Sequence, residues 1–563
     1  MHSHRPALGV WVRAVVAASF LAVILLLQWW SGTYRSEFSG YPDEGAHYVT
    51  GLMVHDYIVG GRLASLENFA KNYYLHYPKV SIGHWPPFFY LVQAAWTLIF
   101  PSSRASLLLL MACITAVVAF ALYRAIASEM GEFTGVAAGL FFISLPVTQE
   151  SSGMVMADAL ITMLALLAVL RFARFMDEGR PRDALLFGLL SAMTILTKGT
   201  GLALAGVPLF AIALTNRWKL LLRPAFWLPV AVVVPLCAPW YWITRHMLQS
   251  TGEHPTSAFN YIETAVRFYV VHSFHILGAL LFGLALFGVI VHVILKQRRE
   301  VRPKWAVLAA LVISIGLLSC VVPVLPIGGQ RQVMGTEERF LFPAIPAIIA
   351  FGFAGMDYCA RKLASNRLNL NAGRIVLTLI IAATLVPKVF SRKAPVSFGF
   401  SPVAKNLLAQ PELKKAVMMI SSDAVGEGMF ISQMAMMENR PGHYLVRASK
   451  VLCDCSWSGE EHTTLYPNPA ALMGYLDRSP IQVVVYDESA PPQSSFEFHR
   501  ILHETIQQYP SRWQLIGTFP VSRDSVVHPG AIKVYKVSGT NPKASIEVNM
   551  QRMLKTTMEL KPE

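Results

Sequence analysis

The residues best suited to chemistry lie directly after the first long apolar segment, in the sequence YPDEGAHY at positions 41–48. Asp43 and Glu44 are adjacent carboxylates, and their repulsion can raise one pKa while the other group stays ionised. Such a carboxylate can act as a general base toward a hydroxyl group. Glu44 and His47 are three residues apart and would share one face of a helix. The alternative is structural, because Pro42 followed by two acids is a common way to begin a helix.

A second polar group lies in the sequence GHWPPFFY at positions 83–90. His84 precedes two prolines and a short aromatic segment that ends the motif at Tyr90. These two side chains could line a substrate pocket at the membrane boundary. The alternative is an interfacial belt, since aromatic residues are common at that depth.

Acids and bases also mark the ends of later apolar segments. Asp158 begins one, where an acid is a candidate functional group or a stabiliser of the helix N-terminus. Lys198 lies in a turn where few cations are expected, so it needs an anionic partner: a phosphate, Asp158 or lipid headgroups. Arg331 and Arg339 precede another apolar segment, and neighbouring glutamates offer them ion pairs.

These groups together suit transfer from a lipid-linked phosphate. Cations would hold the phosphate and stabilise its charge as it leaves. A carboxylate would deprotonate the incoming hydroxyl. An apolar groove between helices would accommodate a polyprenyl tail.

The composition predicts that membrane helices position these residues. Of 563 residues, 54% are hydrophobic and 15% are charged, whereas soluble proteins carry about 25% charged residues. A soluble enzyme is therefore excluded. The net charge of +14 falls in short clusters between apolar segments. This pattern is typical of cytoplasmic loops and argues against a nucleic-acid partner.

The apolar segments predict a polytopic α-helical membrane protein of about 11 transmembrane helices, at about 20 residues a span. The segments are 10–30, 105–124, 133–149, 156–172, 184–198, 199–214, 224–244, 271–296, 305–326, 340–357 and 375–391. All of the basic clusters lie in the cytoplasm only if the shorter apolar segment 88–100 does not cross the membrane. We therefore predict a cytoplasmic N-terminus, an outer loop at 31–104 with juxtamembrane helices, and an outer C-terminus.

The last 170 or so residues differ in character from this membrane domain, residues 1–391. Predicted strands at 417–421, 481–486, 513–521 and 532–537 alternate with predicted helices at 426–439, 469–478 and 496–509. Residues 392–563 are therefore predicted to form an extracytoplasmic α/β domain. It could dock substrate, act as a lid or be only a structural cap.

The order of these motifs resembles that of the GT-C glycosyltransferases. It is most similar to the dolichyl-phosphate-mannose-protein mannosyltransferase-like group, which includes the bacterial transferase that adds aminoarabinose to lipid A. The resemblance covers about residues 40–215, weakens over 220–391 and is only architectural beyond.

The resemblance implies roles for individual residues. Asp43 would be the catalytic base, and Glu44 its partner in binding substrate or metal. Asp158 would be a second acid that organises the acceptor or the catalytic loop. Lys198 would lie near the donor phosphate.

The chain also departs from the aminoarabinose transferase. It has Gly-Ala-His after the acid pair where that enzyme carries an arginine, and His-Trp-Pro where that enzyme carries Glu-Lys-Pro. His84 could instead bind a divalent metal ion with Glu44, His47 or Glu263. The departures put that enzyme's sugar and its lipid A acceptor in doubt, and they leave the reaction class unchanged.

The sequence therefore predicts a glycosyltransferase of the cytoplasmic membrane. It would move a hexosyl or pentosyl group from a polyprenyl-phosphate donor to a hydroxyl of a lipid, glycan or protein at the outer face. A flippase for a lipid-linked saccharide would use the same groove and cations without needing Asp43 as a base. A structural membrane subunit would need none of these residues. Clustering at one face favours the enzyme, since a transport path would place some groups near the bilayer midplane.

Overall fold

The computed structural model describes residues 9–38, 41–61, 65–81, 83–245, 258–321, 336–364, 367–391, 396–454, 463–490, 496–523, 530–549 and 557–562. The chain forms a helical region up to Ser391 and an α/β unit from residue 396 onward. Arg331 lies outside the described residues, so its predicted role stays a prediction.

Fifteen α-helices make up the described part of the helical region. They are α1 (Val10–Trp30), α2 (Pro42–Val59), α3 (Leu66–His76), α4 (Phe88–Thr97), α5 (Arg104–Met130), α6 (Glu132–Ser144), α7 (Pro146–Ser152), α8 (Asp158–Glu178), α9 (Pro181–Ile195), α10 (Val207–Thr215), α11 (Pro224–Thr244), α12 (Ala258–Val289), α13 (Pro303–Cys320), α14 (Ile345–Leu363) and α15 (Arg367–Ser391). A π-helical turn, Ile290–Ile294, extends α12. Two 3₁₀ segments, Gly199–Ala205 and Glu338–Ala344, lead into α10 and α14.

Seven helices of the described chain are long and apolar enough to cross a membrane. They are α1, α5, α8, α11, α12 with its extension, α13, and α14 with the 3₁₀ segment before it. Shorter apolar helices occur at Glu132–Ser144, Gly199–Thr215 and Asn369–Thr384. The chain is a multi-pass membrane protein, and the count of 11 spans stays a prediction.

Short helices follow α1, as the sequence predicted for the first long loop. Helix α4 contains 10 residues, which is about 15 Å of helix. The hydrocarbon core of a bilayer is about 30 Å thick. A helix of this length does not span it.

Helices α12 and α14 pack closely at two positions occupied by glycine. A Cβ atom added to Gly288 of α12 would lie 2.0 Å from the carbonyl oxygen of Phe351 in α14. One added to Gly355 of α14 would lie 2.2 Å from the carbonyl oxygen of Leu284. The two helix backbones can approach this closely only because both positions lack a side chain.

The α/β unit contains a five-stranded sheet in the order β2-β1-β5-β7-β6. Its elements are α16 (Phe400–Leu408), β1 (Val417–Ser421), α17 (Ala424–Met437), β2 (Leu445–Arg447), α18 (Ala448–Val451), β3 (Cys453–Asp454), β4 (Thr463–Thr464), α19 (Pro469–Asp477), β5 (Ile481–Asp487), α20 (Glu497–Gln508), β6 (Trp513–Val521), β7 (Gly530–Val537), β8 (Ile546–Asn549) and β9 (Thr557–Leu560). Strands β2, β1 and β5 are parallel, with Met418 opposite Leu445 and Val483. Strand β7 pairs antiparallel to both β5 and β6. Strand β1 is buried along its whole length, as expected for a parallel strand covered on both faces.

The α/β unit packs directly against the loop that follows α1. Arg440 donates to both carboxylate oxygens of Asp56 in α2, at 2.7 and 3.0 Å. Glu37 accepts backbone N–H bonds from Gly399, Phe400 and Ser401 at the start of α16. Segments in contact outside the bilayer lie on the same side of it, which requires an even number of crossings between them. Ten of the eleven predicted spans lie between the two segments, which meets this requirement.

Candidate functional site

An acid and an arginine that are distant in sequence meet at the start of α2. Pro42 begins the helix, and Asp43 lies in its first turn. Arg339, in the 3₁₀ segment before α14, donates from Nη1 to Asp43 Oδ2 at 3.0 Å. The same guanidinium pairs with Glu337 and lies over the ring of Tyr41, 4.5 Å from its centroid. The Asp43 side chain is 28% exposed, so the carboxylate is accessible from solvent.

A second ion pair joins two further elements. Asp158 begins α8, and Lys198 lies in the turn after α9. Lys198 Nζ donates to Asp158 Oδ1 at 2.7 Å, and both side chains are largely buried. The sequence analysis offered Lys198 a phosphate, Asp158 or lipid headgroups as a partner, and the structure places Asp158 beside it.

The two ion pairs belong to one site. Phe340 lies beside both cations, with its ring centroid 5.4 Å from Lys198 Nζ and 5.8 Å from Arg339 Cζ. A small cavity, partly open to solvent, adjoins the pairs. Its polar lining consists of Tyr41, Glu150, Ser151, Asp158, Glu338 and Arg339. One member of each ion pair, Asp158 and Arg339, therefore lines the same cavity.

The charges control the protonation of Asp43. Burial acts to raise its pKa, but the Arg339 guanidinium, His47 and Lys198 together outweigh that effect and hold the pKa below its ordinary value. Burial lowers the pKa of His47 to about 4, so this imidazole is neutral at pH 7. Burial also lowers the pKa of His84.

Tyr90 is not among the residues that line the cavity. Its side chain is 3% exposed. The hydroxyl lies 2.9 Å from His47 Nδ1 and 3.2 Å from Ser81 Oγ. His47 also packs on Trp85, with ring centroids 4.3 Å apart. Tyr90 therefore orients His47, and its predicted role in binding substrate stays a prediction.

Glu44, whose catalytic role stays a prediction, does not line the cavity. The side chain is fully buried and accepts from Arg104 Nε at 3.0 Å. It also accepts from the backbone N–H of Val155 at 3.2 Å. Glu44 thus fastens α2 to α5 and to the turn before α8, because a buried carboxylate needs such partners.

The structure does not assemble the predicted metal site of Glu44, His47, His84 and Glu263. Glu44 is committed to Arg104, and His47 to Tyr90. Glu263 is exposed on α12, and His84 packs edge-on against Trp85. Within the described ranges, no three His, Cys, Asp or Glu side chains are arranged to hold a metal ion.

Three site residues escaped the sequence analysis. Tyr41 donates its hydroxyl to Glu150 Oε1 at 3.1 Å, and both line the cavity. Phe340 contacts both cations. Glu150 could have been identified from the sequence, because it is an acid in the predicted turn between two apolar segments. Nothing in the sequence distinguishes Phe340 from the many other aromatic residues of the chain.

Comparison with known proteins agrees with this architecture. A family model described as dolichyl-phosphate-mannose-protein mannosyltransferase matches residues 84–243. No curated protein sequence matches the chain.

Solved structures match over nearly the whole chain. ArnT from Cupriavidus metallidurans bound to undecaprenyl phosphate matches with a TM-score of 0.56 and 15% identity, over 93% of this chain and 99% of that one. The same protein in its apo state matches with a TM-score of 0.55 and 13% identity, over 93% and 98%. The archaeal oligosaccharyltransferase AglB from Archaeoglobus fulgidus, in complex with an inhibitory peptide and a dolichol-phosphate, matches with a TM-score of 0.50 and 14% identity, over 90% and 74%. The family model covers residues 84–243, and the solved structures show that the chain shares the fold of ArnT and AglB.

Proposed function

We propose that the protein transfers a sugar from a polyprenyl-phosphate donor to a hydroxyl group of a lipid, glycan or protein, with Asp43 as the general base. The observation that carries this proposal is the meeting of two acid–cation pairs, Asp43 with Arg339 and Asp158 with Lys198, beside one open cavity. The undecaprenyl phosphate and dolichol-phosphate held by the matched ArnT and AglB structures support the class of donor.

In this mechanism the acceptor oxygen attacks the anomeric carbon of the sugar as the bond to the phosphate oxygen breaks. The electron pair leaves with the polyprenyl phosphate, and the hydroxyl proton passes to Asp43. A single displacement of this kind inverts the anomeric centre. Arg339 and Lys198 stabilise the charge that grows on the leaving phosphate.

Donor binding would also prepare the base. Arg339 holds Asp43 as an ion pair in the structure and so keeps it a weak base. A donor phosphate competes for the same guanidinium, since arginine binds phosphate through several N–H groups at once. When Arg339 turns to the phosphate, burial raises the pKa of Asp43. The carboxylate then becomes a better base only when donor is present.

Asp158 would act through Lys198. The two side chains are hydrogen bonded and lie 5% and 15% exposed, so the lysine charge is oriented before substrate arrives. Lys198 then offers its remaining N–H groups to the phosphate. Asp158 is a positioning residue in this account.

The surface of α11 supports binding of a long apolar tail. Several of its large side chains are exposed, among them Trp227, Val234 and Trp242. Such a face suits lipid or a polyprenyl chain. We place the site at the outer face of the cytoplasmic membrane, with the N-terminus in the cytoplasm and the α/β unit outside, because this orientation puts the basic clusters inside.

The test uses purified protein, synthetic polyprenyl-phosphate sugars and a membrane extract as the source of acceptor, and it follows release of polyprenyl phosphate. The Asp43→Asn variant is compared with wild type, and Asp477→Asn, an exposed acid in the α/β unit, serves as the control. Release by wild type and by the control, with loss in Asp43→Asn, supports the proposal. If wild type consumes no donor but moves lipid-linked sugar across liposomes as well as Asp43→Asn does, the flippase alternative replaces it.

A further inference from the structure

One buried lysine joins the α/β unit to the peptide that precedes Asp43. Lys79, in the loop between α3 and α4, is 5% exposed. Its Nζ atom donates to the carbonyl oxygen of Ala424 at 2.9 Å and to that of Pro42 at 3.3 Å. Ala424 is the first residue of α17, and Pro42 is the first residue of α2. A single ammonium group thus links the starts of two helices from two parts of the chain.

The two helices touch at this point through small residues. A Cβ atom added to Gly45 of α2 would lie 2.9 Å from Ser432 Oγ and 3.0 Å from the carbonyl oxygen of Gly428 in α17. One added to Gly428 would lie 3.1 Å from Lys79 Cε. The contact between α2 and α17 is therefore tight, and a shift of α17 would reach the first turn of α2.

Burying the Lys79 ammonium costs more free energy than a purely structural contact requires. Among the described residues, no carboxylate lies within ion-pair distance of its Nζ atom, and its hydrogen-bond partners are the two neutral carbonyls. Burying a charge without an ion partner costs free energy, and an apolar residue of the same length would fill the space at lower cost. The cost is explained if the ammonium has a further role.

We propose that Lys79 is a positioning residue, through which the α/β unit sets the first turn of α2 and aims the Asp43 carboxylate at the site. This inference rests on the proposed function, in which Asp43 is the base. A misplacement of about 1 Å in a reacting group can lower a rate by about 10²-fold. The α/β unit is then part of the catalytic machinery and not only a cap.

The protonation of Lys79 supplies an independent readout. Burial lowers its pKa to about 7, and the charge of Arg447 in β2 adds to this effect. Glu427 and Asp423 of α17 and Asp43 of α2 oppose it. The lysine is therefore charged below about pH 7 and neutral above. Charged donors make stronger hydrogen bonds than neutral ones, so we expect kcat to fall as the pH rises through about 7.

The test compares Lys79→Met with wild type, with Lys71→Met, an exposed lysine of α3 paired with Glu67, as the matched control. Methionine is one atom shorter than lysine and removes the charge, so we expect Lys79→Met to unfold at the wild-type temperature or above. Its single-turnover rate should fall by about 10²-fold, while its dissociation constant for polyprenyl phosphate stays within about threefold. Lys79→Arg, which stays charged, should lack the fall in kcat above pH 7. Gly428→Ala, which crowds Lys79, should lower the rate in the same way.

Several outcomes overturn the proposal. One is a folded Lys79→Met variant with the rate and pH profile of wild type. Another is a loss of rate that matches its loss of folded protein. Asp43→Asn is assayed in parallel: if it is inactive and Lys79→Met is normal, only the positioning role fails. If Asp43→Asn is fully active, the proposed base fails instead.

Discussion

Replacing Arg339 by glutamine should move the pH at which the enzyme loses activity in acid. The base must be ionised to work, so the rate rises with pH through the pKa of Asp43. In the structure Arg339 lies 3.0 Å from that carboxylate and holds its pKa below the ordinary value. Without the arginine, burial still raises the pKa, and only His47 and Lys198 oppose it. The acidic limb of the pH–rate profile should therefore move to higher pH.

The distance sets the size of the shift. Two unit charges 3.0 Å apart interact by about 1.4 kcal/mol in water and by about 5.5 kcal/mol at an effective dielectric constant of 20. The lower value alone corresponds to about one pKa unit, and a nearby opposite charge usually lowers a carboxyl pKa by about 1–3 units. We expect a shift of about 1–3 pH units.

The assay is kcat/KM for release of polyprenyl phosphate between pH 4 and 9, measured for wild type and Arg339→Gln. Arg339→Gln should also lower the plateau, because we propose that Arg339 binds the phosphate. The pH at which the acidic limb lies does not depend on how far the plateau rate falls. A lower plateau with the limb in its wild-type place would refute the coupling of Arg339 to Asp43.

Three further predictions concern the buried ion pairs. Glu44→Gln leaves Arg104 buried without its carboxylate and should cost about 3–5 kcal/mol of stability. The unfolding temperature should fall, while turnover per folded molecule stays normal. A variant that is stable but inactive would instead support a catalytic role for Glu44. Lys198→Met should weaken binding of polyprenyl phosphate by about 10–100-fold in a donor titration, and an unchanged dissociation constant would exclude Lys198 from the phosphate site. Asp56→Asn and Arg440→Met should show a coupling of about 0.5–3 kcal/mol in a double-mutant cycle on thermal unfolding, whereas additive effects would mean that their hydrogen bonds do not hold the α/β unit on α2.

Much of the fold could be predicted because local patterns determine it. The predicted strands 417–421 and 513–521 have their observed bounds, since apolar and β-branched runs bounded by turn residues are typical of strands. The segment after the two prolines was recognised by its apolar residues, and the charge distribution predicted that it does not cross the membrane, because a crossing there would have inverted every later loop. Strand β2 was missed, as three residues carry too little pattern.

The site was predicted less completely, because its geometry depends on partners far apart in the chain. Nothing in the sequence near Glu44 shows that Arg104, sixty residues later, lies beside it. That contact gives Glu44 a structural role that the sequence did not predict. Lys198 was different, since a cation in an unusual place indicated that it needed an anion, and Asp158 was one of the few candidates.

The most direct test of the account separates donor binding from chemistry in the Asp43→Asn variant. Donor affinity is measured first by equilibrium titration, and the rate of a single turnover is then measured with saturating donor and acceptor. If Asp43 is the base, the donor dissociation constant should stay close to that of wild type and the turnover rate should fall by about 10²–10⁴-fold, the usual contribution of a general base. A turnover rate that survives the substitution, or that falls only as far as donor binding does, would contradict the assignment of Asp43 as the base.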